Sequence, residues 1–127
     1  MIEITVRNLL ESATTLQGIM QKTLKGRPAF LLARIAREVD KEYTSFNNTR
    51  MQLIQKYGEK DESGNLVADE NGNNKIPQSA VEEFNKEVSD LLETKVQLNV
   101  NAIPLDDLKD IDFTPQEMLT LEVFIEE

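Results

Sequence analysis

The sequence predicts an α+β fold that is mostly helical. The expected architecture is a long antiparallel helical hairpin plus a third helix. A small two-stranded sheet joins an N-terminal strand to a late C-terminal one, and a β-hairpin or turn projects at residues 61–76. Three observations predict it. Apolar residues recur at steps of three and four through most of residues 9–57 and again through 81–92. Two short segments, 2–6 and 96–100, alternate apolar with polar residues, the period of a half-buried strand. Between the helical stretches, residues 59–77 (EKDESGNLVADENGNNKIP) consist largely of turn formers. At 127 residues the chain fits one domain, 1–127, long enough to bury a core without a disulfide or metal.

Ile2, Ile4 and Val6 share one side of the first strand, with Glu3 and Thr5 opposite. From about Asn8 the period changes, and Leu9, Ala13, Leu16 and Met20 predict a helix running to Lys25-Gly26. Gly26 suits a helix C-terminus and Pro28 the first turn of the next helix. Leu32, Ile35/Ala36, Val39, Tyr43, Phe46, Leu53 and Tyr57 then occupy an arc about 100° wide on a helical wheel. Ending at Gly58, this helix of about 30 residues is roughly 45 Å long at 1.5 Å per residue. Ala29, Ala33 and Ala36 are expected to let the preceding helix approach closely. Arg50 falls at the centre of the apolar stripe and is expected to be a structural buried charge paired with an acidic partner.

Asn71-Gly72 and Ser63-Gly64 mark turns on either side of Leu66-Val67-Ala68. Helix three follows Pro77, with Ser79 and Glu82 spaced as a capping box and Val81, Phe84, Val88, Leu91 and Leu92 as its stripe. Val96, Leu98 and Val100 form the second strand. Thr114-Pro115-Gln116-Glu117 is another capping box, opening a short helix to about Leu121, and Val123, Phe124 and Ile125 form a closing apolar anchor.

Composition excludes several kinds of chemistry. The chain has no Cys and no His, which removes thiol catalysis, disulfides, the commonest zinc ligands and the commonest general base. The N-terminus lacks the continuous apolar stretch of a signal peptide, and no apolar run approaches a membrane span. The expectation is an intracellular soluble protein. Asp61, Ser63 and Asn65, and eight residues later Asp69, Asn71 and Asn73, imitate the start of a calcium loop. The sixth positions are Leu66 and Asn74 and the twelfth Gly72 and Ala80, in place of the Gly and Glu such a loop uses. Asx turns account for the same residues. No cofactor or metal is expected, and with no nucleophile signature or phosphate loop the chain is expected not to be an enzyme.

Charge carries more information. The net charge is −9, and it is unevenly spread. Residues 1–60 carry ten Lys/Arg against six Asp/Glu, whereas 61–127 carry four against seventeen. Such asymmetry marks either an interaction surface or two halves that neutralise each other. Arg34, Arg37 and Lys41, with Arg27, share an arc of about 80° on the long helix, a candidate surface for phosphates or an acidic protein. Asp106, Asp107, Asp110 and Asp112 form the matching acidic candidate. Nucleic acid is the less favoured partner, because the overall charge is negative and no aromatic residues interleave with the basic ones.

The order of features also resembles a group of small uncharacterised proteins encoded by bacteriophages of Gram-positive bacteria. The resemblance is carried by Leu53-Ile54-Gln55-Lys56-Tyr57-Gly58-Glu59-Lys60-Asp61, Gly64-Asn65-Leu66-Val67, Asn71-Gly72-Asn73, Val81-Glu82-Glu83-Phe84-Asn85-Lys86-Glu87 and the closing Leu121-Glu122-Val123-Phe124-Ile125-Glu126. It covers most of the chain and carries no catalytic signature. It implies a phage origin and a role inside the host cytoplasm. The expected function is non-enzymatic: an accessory protein that binds another protein, with a host defence or nucleic-acid-handling protein as target. A virion or assembly component that homo-oligomerises is the alternative, and a nucleotide or nucleic-acid binder using Arg34, Arg37 and Lys41 a further one.

Overall fold

The computed structural model describes residues 1–127. The fold is α+β and mostly helical. Its elements are β1 (Ile2–Thr5), α1 (Val6–Ile19), α2 (Gly26–Tyr57), α3 (Val81–Leu92), β2 (Lys95–Leu98), β3 (Ile103–Pro104), α4 (Pro115–Leu121) and β4 (Ile125–Glu126). Short 3-10 turns occupy Leu105–Leu108 and Glu122–Phe124. The residues group into two compact units, Met1–Thr44 with Thr94–Glu127, and Ser45–Glu93, with α2 running through both.

In the first unit the two alternating segments pair as expected. β1 and β2 are antiparallel, with Ile2 opposite Leu98 and Ile4 opposite Val96. The pleat therefore sends Ile2, Ile4 and Leu98 inward and leaves Glu3 outside. Thr5 ends the strand and caps α1 at once: its Oγ1 accepts from the Asn8 N–H at 3.2 Å. The Val6 N–H, another donor left over at the helix start, is taken by the Thr94 carbonyl at 2.9 Å.

Helix α1 presents Leu9, Leu16 and Ile19 to a core shared with Leu32, Ile35 and Val39 of α2 and with Leu98, Val100, Ile103, Leu108, Leu121 and Phe124. Each such side chain, fully buried, stabilises by about 1.5–3 kcal/mol. Ser12 is the one buried polar side chain, and its hydroxyl donates to the Leu9 carbonyl at 2.9 Å, so the core holds no unsatisfied group there.

Several expectations change. α1 stops at Ile19, not at Lys25-Gly26. After the last core residue the chain tightens into bonds from Gln21 N to Gly18 O and Lys22 N to Ile19 O, and it leaves the helix. Gly26, with φ of +68°, opens α2 rather than closing α1. Of the three alanines expected to let α1 approach closely, Ala29 is half-buried. Ala33 faces solvent, and Ala36 lines an open groove of about 370 Å³ together with Ala13, Leu16 and Val39.

The last two strands were not legible in the sequence: β3 and β4 pair in parallel, Ile103 beside Ile125. Of the closing anchor, only Phe124 is fully inside, while Val123 turns outward. The second predicted capping box is present: Glu117 N–H donates to Thr114 Oγ1 at 3.1 Å, and Thr114 N–H to Glu117 Oε1 at 2.9 Å.

The second unit is built differently. Ile54 is its one fully buried side chain. Phe46, Leu53 and Tyr57 of α2 are half-buried, as are Val81, Phe84, Val88, Leu91 and Leu92 of α3. Tyr57 and Phe84 meet edge to face at 6.2 Å between ring centroids. Arg50 is exposed, against the expectation of a buried charge. A helical wheel gives the direction of a side chain and says nothing of whether a neighbour covers that turn. Nor does α3 have the expected cap: its N-cap is Ala80 without a side-chain bond, because residues 78–80 form a turn held by Pro77 O.

The Gly-rich segment is more ordered than two loose turns. Its two copies, Asp61-Glu62-Ser63-Gly64-Asn65 and Asp69-Glu70-Asn71-Gly72-Asn73, adopt one structure. Asp61 Oδ1 accepts from Ser63 N and Asn65 N at 2.9 and 3.0 Å, and Asp69 Oδ1 from Asn71 N and Asn73 N at 2.9 and 3.0 Å. Gly64 and Gly72 supply the left-handed conformation at φ of +82° and +81°. The three segments flanking these turns close on one another. Val67 N donates to Glu59 O, Glu59 N to Lys75 O and Lys75 N to Val67 O, at 2.9, 2.8 and 2.9 Å. Residues 59, 67 and 75 thus form a closed three-way ring with the eight-residue period of the repeat. The carboxylates that imitate a calcium loop are turned onto their own backbone N–H groups.

Candidate functional site

In the first unit the acidic strip meets Arg27, at the near end of the basic arc, and Lys22 upstream of it, while Arg34, Arg37 and Lys41 lie elsewhere. Arg27 Nε donates to Asp107 Oδ2 at 2.9 Å, and Lys22 Nζ donates to the Asp112 carbonyl at 3.1 Å and lies 3.6 Å from Glu117 Oε1. Asp107, Asp110 and Asp112 line one groove of about 600 Å³ with Lys22 and Lys25. The acidic strip is therefore partly neutralised within its own unit, the intramolecular reading of the charge asymmetry.

Asp106 stands apart. In a 3-10 turn neighbouring side chains diverge by about 120°. Asp107 accordingly turns toward Arg27, while Asp106 lines a different depression with Pro104, Leu105, Glu126 and Glu127. The four aspartates are not gathered into any group of three or more side chains suited to holding a metal ion.

On α2, Arg34, Arg37 and Lys41 are all exposed. Lys41 pairs with Glu38 at 3.4 Å, an exposed contact one turn away that is worth little. The Arg34 guanidinium lies 5.8 Å over the ring of Phe30, four residues earlier on the same face. Phe30 is 62% exposed. It and Arg34 line a groove of about 350 Å³ whose far wall is Val100–Ala102 and Pro104.

Two titrating groups feel their surroundings. The Thr114 backbone N–H, with Lys22 nearby, holds the Glu117 carboxyl below the ordinary glutamate range. Hydrogen bonding to the Tyr57 side chain, and then the charge of Glu87, holds the Lys56 ammonium above its usual value. Lys56 lies 4.9 Å over the Tyr57 ring and 3.5 Å from Glu87 Oε1. Glu87 Oε2 is buried without a hydrogen-bond partner. Both perturbed groups belong to local structure, a helix cap and an aromatic stack, and neither faces an enclosed cavity.

Residues absent from the sequence-derived candidates stand out in the structure. Leu119, on α4, is 66% exposed, and Val123, one turn on, is 41% exposed. With Ile4 they form the apolar part of a notch of about 440 Å³ bordered by Glu11 and Glu122. Periodicity could not single them out, because an apolar residue at helical spacing reads as core whichever way it turns. The only available signal was excess: α4 and its continuation carry Met118, Leu119, Leu121, Val123, Phe124 and Ile125, more apolar side chains than so short a segment can bury on one face.

No helix is long and apolar enough to cross a membrane. No protein-family model, curated protein or solved structure matches the chain.

Proposed function

We propose that this chain is a non-enzymatic accessory protein, of bacteriophage origin, that acts by binding a basic protein of the host, such as a defence or nucleic-acid-handling protein. The observation that carries the binding part is the notch formed by Leu119, Val123 and Ile4 between Glu11 and Glu122. Single exposed apolar residues are ordinary on a protein surface. Two large ones a turn apart, with carboxylates at the edge, have the composition of an interface: an apolar centre to be desolvated and a charged rim to select the partner. A partner that presents an apolar side chain beside Lys or Arg complements both. Residues 94–127 as a whole carry eight acidic side chains against Lys95 and Lys109, a long-range field that speeds encounter with a basic surface. The phage assignment rests on the sequence resemblance alone.

The test compares capture of proteins from infected host cells by the native chain and by Leu119→Asp. Leu119 is exposed, so the substitution is expected to change stability by no more than about 0.5 kcal/mol. A basic host protein retained by the native chain and reduced about tenfold or more with Leu119→Asp supports the reading. Identical captures, or recovery of virion proteins alone, would sink it.

A further inference from the structure

The groove on α2 and the acidic depression beyond β3 share a wall, Pro104. One side carries the stacked pair of Phe30 and Arg34, with Arg27 held by Asp107 at its edge. The other carries Leu105, 43% exposed, with the carboxylates of Asp106, Glu126 and Glu127. Each patch thus has one large exposed apolar side chain, and the charges beside the two are of opposite sign.

We propose that this surface is a dimerisation face that takes a second copy of the same chain. Two complementary patches side by side are self-complementary under a two-fold rotation. With the axis near Pro104, the Phe30/Arg34 patch of one protomer meets the Leu105/Glu126/Glu127 patch of its partner, and the same contact forms again on the other side of the axis. An unrelated partner would need to supply both patches in the same order, a condition that a second copy meets by construction. Arg over an aromatic ring suits such a contact, because Arg and large aromatic side chains are among those that carry most of the binding energy at interfaces. The surface is separate from the notch around Leu119, so self-association and capture of a foreign protein are read by different variants.

Sedimentation velocity over a concentration series up to about 0.5 mM tests it, that range being set by the weak affinity expected of a small interface. The native chain is expected to shift from monomer to dimer. Arg34→Glu is expected to weaken the dimer at least tenfold, and so is Glu126→Arg combined with Glu127→Arg. The chain carrying all three changes is expected to return to within about threefold of the native affinity, because the charges are exchanged across both halves of the contact. All three positions are exposed, and circular dichroism checks that each variant keeps its helix content. A native chain that stays monomeric throughout overturns the proposal and leaves the groove to other ligands. A dimer indifferent to the single-patch changes also overturns it, as does one that they break and the exchange does not restore.

Discussion

The two compact units share a helix and little else in how they are held. Residues 1–44 and 94–127 enclose a core that includes Leu9, Leu16, Ile19, Leu32, Ile35, Leu98, Ile103, Leu121 and Phe124, each no more than 1% or 2% exposed. Residues 45–93 bury Ile54 alone to that degree. The second unit relies instead on half-buried stripes, one aromatic pair and a ring of backbone hydrogen bonds closed by two Asx turns. Apolar burial is cooperative across a core, whereas each exposed hydrogen bond adds only about 0.5–1.5 kcal/mol and competes with water. Regular structure in this chain is therefore not a guide to stability. Helix α2 is continuous, yet its two ends are anchored by different kinds of interaction. Local opening is therefore expected to start in 45–93. The exposed candidate surfaces all lie on the unit with the deep core.

The largest expected effect comes from Phe124→Ala, at a side chain 0% exposed in the core-bearing unit. It should cost about 3–5 kcal/mol, read as a fall in the denaturation midpoint. A loss under 1 kcal/mol would mean that this core is not what holds the unit. A smaller change sharpens the contrast from the other side. At Gly58 a Cβ would lie 2.5 Å from the Ile54 carbonyl oxygen and 2.7 Å from Leu66 Cδ2. The leucine can move, but the helix carbonyl cannot yield cheaply. Gly58→Ala should cost about 1–3 kcal/mol, with faster amide exchange at Val67 and Lys75.

The smallest effect is a pH dependence at the α4 cap. The folded-state pKa of Glu117 is depressed, so its contribution is present above the ordinary glutamate value and disappears as pH falls through the lower folded value. Native chain and Glu117→Gln should differ in melting temperature at neutral pH and converge on acidification below about pH 4. A difference that persists in acid would place the role of Glu117 in packing, not in charge.

Legibility followed the range of the interactions. The β1–β2 pairing could be read from Ile2, Ile4, Val96 and Leu98, because alternation reports which face is buried. The Thr114–Glu117 cap could be read because both its bonds are local. The same spacing at Ser79 and Glu82 misled, since a turn at 78–80 moves the helix start to Val81. β3 and β4 are two residues each, too short to show a period, and their pairing spans more than twenty residues of intervening chain. The turns of the eight-residue repeat were evident, but the three-way closure of 59, 67 and 75 was not, because it depends on non-local geometry.

For the candidate site, Arg34, Arg37 and Lys41 were legible as one helix face. The pairing of Arg27 with Asp107 and the exposure of Phe30, Leu119 and Val123 required the tertiary arrangement. Arg50 shows the same limit: its direction was readable and its cover was not.

Native-state amide hydrogen exchange at increasing denaturant compares the two units most directly. Amides of β1, β2 and α1 should exchange only at the free energy of global unfolding, and those of Glu59, Val67 and Lys75 at a free energy several kcal/mol lower. Equal protection in the two sets, converging on a single opening event, would contradict the account.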